Sequence, residues 1–171
     1  MAKTARQKIT KKLDDIVSEI VRERDKKCVM CGSLTKLGNG HIFSRRHNSI
    51  RWDVRPDGNC HTQCWKHNYL HSMRDPYAYY QWYIEKFGQE RFDELYSEWH
   101  TIQKFSTPDL EEMYDELVNF KKALTDRNKV KSGRIVKRPT PRETKIALEK
   151  QIDYSLEGRL ERHAKVSKEK V

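Results

Sequence analysis

The 171-residue sequence predicts an α+β chain, mostly helical, in which a small core of two strands and a helix is stapled by a metal. An N-terminal helix precedes this core, and a helical bundle and a basic C-terminal tail follow it. Three observations carry the prediction. Two short Cys/His pairs lie 32 residues apart, the stretch between them is broken by Gly and Pro into short pieces, and amphipathic stripes stand on both sides. Hydrophobic residues make up 36% and charged residues 35%, too thin an apolar supply for one large core, so a metal staple is expected to help hold the fold.

Taken in order, residues 1–26 form the first helix. From about Thr4 to Arg24, Ile9, Leu13, Ile16, Val17, Ile20 and Val21 recur at steps of three and four, one apolar face. Residues 27–74 are the core. Gly32, Gly38, Gly40, Pro56 and Gly58 divide them, and all four cysteines and most of the histidines collect there, which reads as short strands and loops ending in a helix.

Residues 75–127 form the helical region. Asp75-Pro76 is a helix start and Gly88 a stop, with Tyr80, Ile84 and Phe87 marking an inner face. A second helix, about Gln89 to Gln103, is expected to bury Phe92, Leu95, Tyr96, Trp99 and Ile102. Thr107-Pro108 caps a third, with Leu110, Met113, Tyr114, Leu117, Phe120 and Leu124 on one side. These helices are expected to pack together and against the core. Residues 128–171 are a tail, partly helical or flexible, with thirteen Lys or Arg against six Asp or Glu; Ile146, Leu148, Ile152, Leu156 and Leu160 line a helix after Thr140-Pro141.

A net charge of +10 and a pI near 9.4 favour a polyanionic partner, nucleic acid first, because Lys and Arg release counterions condensed on phosphates. No run reaches the roughly 18 apolar residues of a membrane span, and MAKTARQKITKKL lacks the apolar centre of a secretory signal. A cytosolic location without membrane attachment is expected.

In a reducing compartment, a Cys-x-x-Cys pair with a distant second pair reads as a metal site. Cys28 and Cys31 form one pair, Cys64 and His67 the other. Zinc takes thiolate and imidazole ligands in a tetrahedron and performs no redox chemistry, so a structural Zn²⁺ is expected. Gly32 suits the tight turn of the knuckle. Cys60 and His61 are competing ligands, since Cys60 also lies near Cys64. A redox Cys-x-x-Cys belongs on a βαβ pattern, which is absent here.

Between and beside the pairs stand Gly40-His41, Arg45, Arg46, Arg51, Asp53, Asn59-Cys60-His61, Asn68 and His71. A strand ending in His41, a loop, a second strand carrying Asn59 and a helix starting near Trp65 would bring His41, Asn59 and Asn68 around one hollow. That is the ββα-metal arrangement. Arg45, Arg46 and Arg51 suit phosphate, whose oxygens match a guanidinium fork. Tyr77, Tyr79, Tyr80, Trp82 and Tyr83 read as helix packing, with base stacking open to any exposed subset.

The run Cys-x-x-Cys-Gly, Gly-His, Arg-Trp-Asp, Asn-x-His-x-Gln-Cys and His-Asn resembles the phage NinG/Rap recombination nucleases. So do the helix ending Val21-Arg22-Glu23-Arg24-Asp25 and the Tyr-rich helix ending Phe87-Gly88, so that residues 10 to 125 are covered. More broadly the site is similar to HNH nucleases, in which an Asn or His directly after the last knuckle ligand binds the catalytic metal.

The resemblance implies a metal-dependent endonuclease acting on branched DNA (junctions, flaps or D-loops) in phage recombination, in the cytoplasm of a bacterial host. It implies His41 as general base, Asn68 as ligand of a Mg²⁺ or Mn²⁺, and Asn59 as the residue that orients the base or braces the loop. His61, on the same strand face as Asn59, is expected at metal or phosphate. Many such nucleases carry Asp directly before the catalytic His, and here that residue is Gly40. Asp53 or His71 is then expected to complete the coordination. A two-fold dimer would suit cutting of a symmetric junction. Two competing readings are a non-catalytic zinc module that binds nucleic acid and an HNH enzyme that cuts linear duplex.

Overall fold

The computed structural model describes residues 2–131. Helix α1 (Ala5–Asp25) begins with a reciprocal cap: Thr4 Oγ1 accepts the N–H of Gln7, and Gln7 Oε1 accepts that of Thr4 at 2.9 Å. It ends at Lys26, which turns into the left-handed region (φ 64°) and donates its N–H to the carbonyl of Arg22. All six residues of the expected stripe are buried. They pack along α5 (Thr107–Lys131), where Leu110, Met113 and Leu117 are buried, and Trp52, Val54, Cys60 and Phe105 close the cluster. Each such side chain contributes roughly 1.5–3 kcal/mol relative to exposure.

The sheet has two antiparallel strands, β1 (Leu37–His41) and β2 (Cys60–Cys64), in a register that pairs Leu37 with Cys64 and His41 with Cys60. Helix α2 (Trp65–Met73) leaves β2 without a break, so the order strand, strand, helix is as expected. Side chains alternate along a strand. Cys60 therefore joins the cluster under α1, while His61 and Gln63 face the opposite way.

Helices α3 (Tyr77–Phe87) and α4 (Gln89–His100) hold a second cluster with Ile42, Phe43 and Ile50. Phe43 is its centre: its ring contacts Tyr80, Phe92, Tyr96 and Trp99, with centroids between 5.1 and 5.6 Å. The helices after residue 75 thus divide between two clusters, α3 and α4 in one and α5 in the other.

Three local expectations change. The face of α3 that is fully buried carries Tyr79 and Tyr83, one position away from the Tyr80 and Ile84 stripe, because α3 packs around His61 as well as Phe43. Ile102 (84% exposed) is not a core residue, since α4 stops at His100 and the chain turns toward α5, and Tyr96 (48%) meets Phe43 only from the edge of the cluster. The cap of α5 is Ser106, not Thr107: Ser106 Oγ accepts from Asp109 N–H and Asp109 Oδ2 accepts from Ser106 N–H at 2.7 Å. The expected helix after Thr140-Pro141 lies outside the described residues. Among the described residues no helix is long and apolar enough to cross a membrane.

Candidate metal centre and active site

α1 delivers the chain to Cys28, and Gly32 (φ 72°) makes the turn in which its N–H meets the Cys28 carbonyl at 2.8 Å. That left-handed conformation explains the glycine. Cys64 ends β2 and caps α2; His67 follows in the first helical turn. One ligand atom each from Cys28, Cys31, Cys64 and His67 falls within 4.8 Å of all the others. Sγ of Cys31 and Cys64 are 3.9 Å apart, and His67 Nδ1 lies 3.7 Å from Cys28 Sγ and 3.3 Å from Cys64 Sγ. A tetrahedral zinc with its usual bond lengths needs about 3.8 Å between sulfurs and about 3.6 Å between sulfur and nitrogen. The four residues fit that ion and can hold it.

Burial opposes ionisation of Cys28, yet backbone N–H groups of Cys64, Cys31 and Met30 outweigh it and hold its thiol below the usual range. Cys60 is outside the cluster. Its thiol is fully buried, donates toward the Arg51 carbonyl at 3.4 Å, and is pushed up to about 12 by desolvation.

His41 ends β1. Desolvation first, then the nearby charge of Arg45, lower its pKa to about 4, so the ring is neutral at neutral pH. The Arg51 backbone and the charge of Asp14 oppose them without outweighing the burial. Asn59 braces the loop that starts there. Its Oδ1 accepts from Phe43 N–H at 2.8 Å, and its Nδ2 donates to the carbonyls of Phe43 and Ile50 at 3.1 and 3.3 Å.

From α2, Asn68 and His71 share a face one turn apart. Asn68 Nδ2 lies 4.0 Å from where a Gly38 side chain would begin, and His71 Nε2 donates to the His41 carbonyl at 2.8 Å. The glycine face of β1 is thus approached from α2 by Asn68, and its Gly40 end is filled from β2 by the Gln63 amide. His71 ties α2 to the His41 end of the hairpin, where Asn59 braces the loop, whereas Asn68 lies further back along β1 at Gly38, on the strand face opposite to the His41 side chain.

Residues 1–129 match the family described as bacteriophage lambda NinG protein. The chain belongs to the NinG family. No curated protein and no solved structure matches the chain significantly. The match takes in both clusters and the whole Cys/His centre of this NinG-family chain, and ends before nearly all of the basic tail.

Three expected site residues are engaged elsewhere in the NinG-family fold. Asp53 is fully buried, and both its carboxylate oxygens are committed to Arg55 at 3.0 and 2.7 Å. His61 is 1% exposed inside a box of Tyr79, Trp82, Tyr83 and Phe87, its Nε2 on the Gly58 carbonyl and its Nδ1 beside Arg24. Desolvation, and then Arg24, lower its pKa to about 3. It is a core histidine. Arg51 forks onto Asp14 at 2.9 and 2.7 Å and lies over the Trp52 ring, whereas Arg45 and Arg46 are exposed.

Two aromatic residues escaped the sequence reading. Trp65 (65% exposed) and Tyr69 (42%) stack on the outer face of α2 with ring centroids 5.5 Å apart and planes 14° from parallel. Their spacing of four on a helix with no apolar stripe was the available signal. Around them the NinG-family core is basic: residues 26–52 and 58–74 contain no Asp or Glu.

Proposed function

We propose that this NinG-family chain is a metal-dependent, structure-specific endonuclease of the HNH type that acts on branched DNA in phage recombination, akin to the Rap nucleases. The observation that carries the reading is a neutral imidazole, His41, at the end of a hairpin that joins, through the Cys3His cluster, the helix bearing Asn68. His41, neutral at neutral pH, takes the proton from the water that attacks the scissile phosphate. Asn59 keeps the following loop in place, and His71 fixes the carbonyl of His41 itself.

Two side-chain amides border the glycine face, Asn68 with Nδ2 nearest Gly38 and the buried, unpartnered Gln63, and their oxygens would suit a hard cation. A Mg²⁺ or Mn²⁺ held there would neutralise charge on the phosphate oxygens. Arg45 and Arg46 offer exposed forks to the DNA backbone. Trp65 and Tyr69 offer a stacking face to unpaired bases, which supports branched over linear DNA.

One observation favours a second reading. Gly40 brings no carboxylate, and a zinc module that binds nucleic acid without cutting needs none. The test is cleavage by the purified chain, with Mg²⁺ or Mn²⁺, of a four-way junction against matched linear duplex. The junction is expected to be cut faster, and His41→Ala to lose about 10²- to 10⁴-fold in rate while still binding it. Cleavage equal on both substrates assigns a duplex nuclease, and none under any divalent ion assigns the binding module.

A further inference from the structure

β1 turns two glycines, Gly38 and Gly40, toward α2, and Gln63 of β2 reaches across them. Gln63 pairs in register with Gly38. A Cβ built on Gly40 would stand 2.7 Å from Cδ and 2.9 Å from Cγ of Gln63, with Oε1 nearer still, so the amide fills the volume in which a side chain at residue 40 would begin. From the helix side, Asn68 Nδ2 lies 4.0 Å from the equivalent position on Gly38. Gln63 is 1% exposed, and neither Oε1 nor Nε2 has a hydrogen-bond partner. His71 Nδ1, one turn beyond Asn68, is also buried and unpartnered.

A buried primary amide with both ends unpaired is costly unless something binds it. We propose that Gln63 Oε1 is an oxygen ligand for the divalent cation of this site, reaching in from β2 to the place where Gly40 lacks a carboxylate. This rests on the nuclease reading above. Amide oxygens serve hard cations, and strand alternation puts Gln63 on the same face as residue 40. Two neutral amides leave the cation's charge uncompensated, so the free protein holds it weakly and the DNA phosphate supplies the negative charge. That also accounts for a site without the usual Asp.

The test titrates the zinc-loaded, full-length chain with Mn²⁺ alone, read by the electron paramagnetic resonance of the free ion, with and without an uncleavable DNA junction. Gln63→Leu is expected to weaken Mn²⁺ binding about tenfold or more, the scale of lost metal-site support. Gln63→Glu is expected to tighten it about tenfold, and to melt below wild type without Mn²⁺ and recover with it, a reversal that mere packing does not produce. Gly40→Asp combined with Gln63→Gly returns a carboxylate to the emptied space and is expected to restore binding, whereas Gly40→Asp alone collides with Gln63. Unchanged Mn²⁺ affinity in the Leu and Glu variants would overturn the assignment and leave the nuclease reading intact. Mn²⁺ binding that follows these variants in a chain that cuts nothing would sustain the ligand and remove the nuclease. A wild-type chain that takes up no Mn²⁺, with or without DNA, ends both.

Discussion

His71 on α2 donates its Nε2 proton to the backbone carbonyl of His41, 2.8 Å away at the end of β1. The bond couples the helix that starts at the Cys/His centre to the strand that ends at the proposed base. A change at the metal knuckle is therefore expected to reach the proposed base through α2.

Purified chain is expected to carry about one zinc and to show no reactive thiol while folded, because Cys28, Cys31 and Cys64 hold the metal and Cys60 is buried. Cys28→Ser or Cys64→Ser is expected to lower the melting temperature by on the order of 15 °C, several kcal/mol in a domain this size. Metal analysis with thiol titration checks both. A zinc-free chain of unchanged stability contradicts the staple.

Acid should destabilise the fold before any carboxylate is protonated. His41 and His61 titrate at about 4 and about 3 in the folded chain against 6.5 ordinarily, so the unfolded chain takes up protons first as pH falls. The stability that goes with their neutral rings is complete above pH 6.5 and is lost progressively toward pH 3. Urea denaturation across that range, with zinc release followed in parallel, is expected to show a steady loss. The cleavage rate should show no imidazole inflection between about pH 5.5 and 8, because His41 is already neutral there.

Arg51 and Arg45 should separate by phenotype although both are arginines of one loop. Arg51→Ala leaves Asp14 half-buried without its fork, and is expected to cost about 1–3 kcal/mol in denaturant while DNA affinity changes little. Arg45→Ala with Arg46→Ala is expected to leave the melting temperature unchanged and to lower the salt dependence of DNA binding by about one to two in log–log slope. Binding isotherms at several salt concentrations decide it.

Trp65→Ala with Tyr69→Ala is expected to weaken binding of a branched or single-stranded oligonucleotide by about tenfold or more and that of linear duplex by little, since stacking needs an unpaired base. The pair is exposed, so the fold should be unaffected. An equal loss on both substrates removes the stacking role.

What the sequence made legible was local. The α1 stripe and the four knuckle ligands follow from steps of three and four and from a two-residue gap, and they stand where periodicity and spacing put them. Long-range partners left no such trace. Nothing near Asp53 in a motif distinguishes a metal ligand from the buried anchor of Arg55, and only the fold shows that Arg51 meets Asp14 across 37 positions. His61 shares Asn59's strand parity, but α3 closes over it, a fact that depends on where a later helix packs. The missing Asp at residue 40 was visible; its neighbour Gln63 was not, because the two meet only through strand pairing.

A hairpin of two strands has two open margins, and each invites another chain to add a strand. Along β2 that invitation is withdrawn. Asp25 Oδ2 accepts the Thr62 N–H at 2.7 Å and Val29 N–H reaches the Thr62 carbonyl at 2.9 Å. Arg24, paired with Asp25, caps the Cys60 carbonyl at 2.8 Å. The end of α1 thus acts as a selvedge for the sheet, and a chain unravelled there, as by Asp25→Ala, would expose a sticky seam and be expected to clump at concentrations the intact protein tolerates.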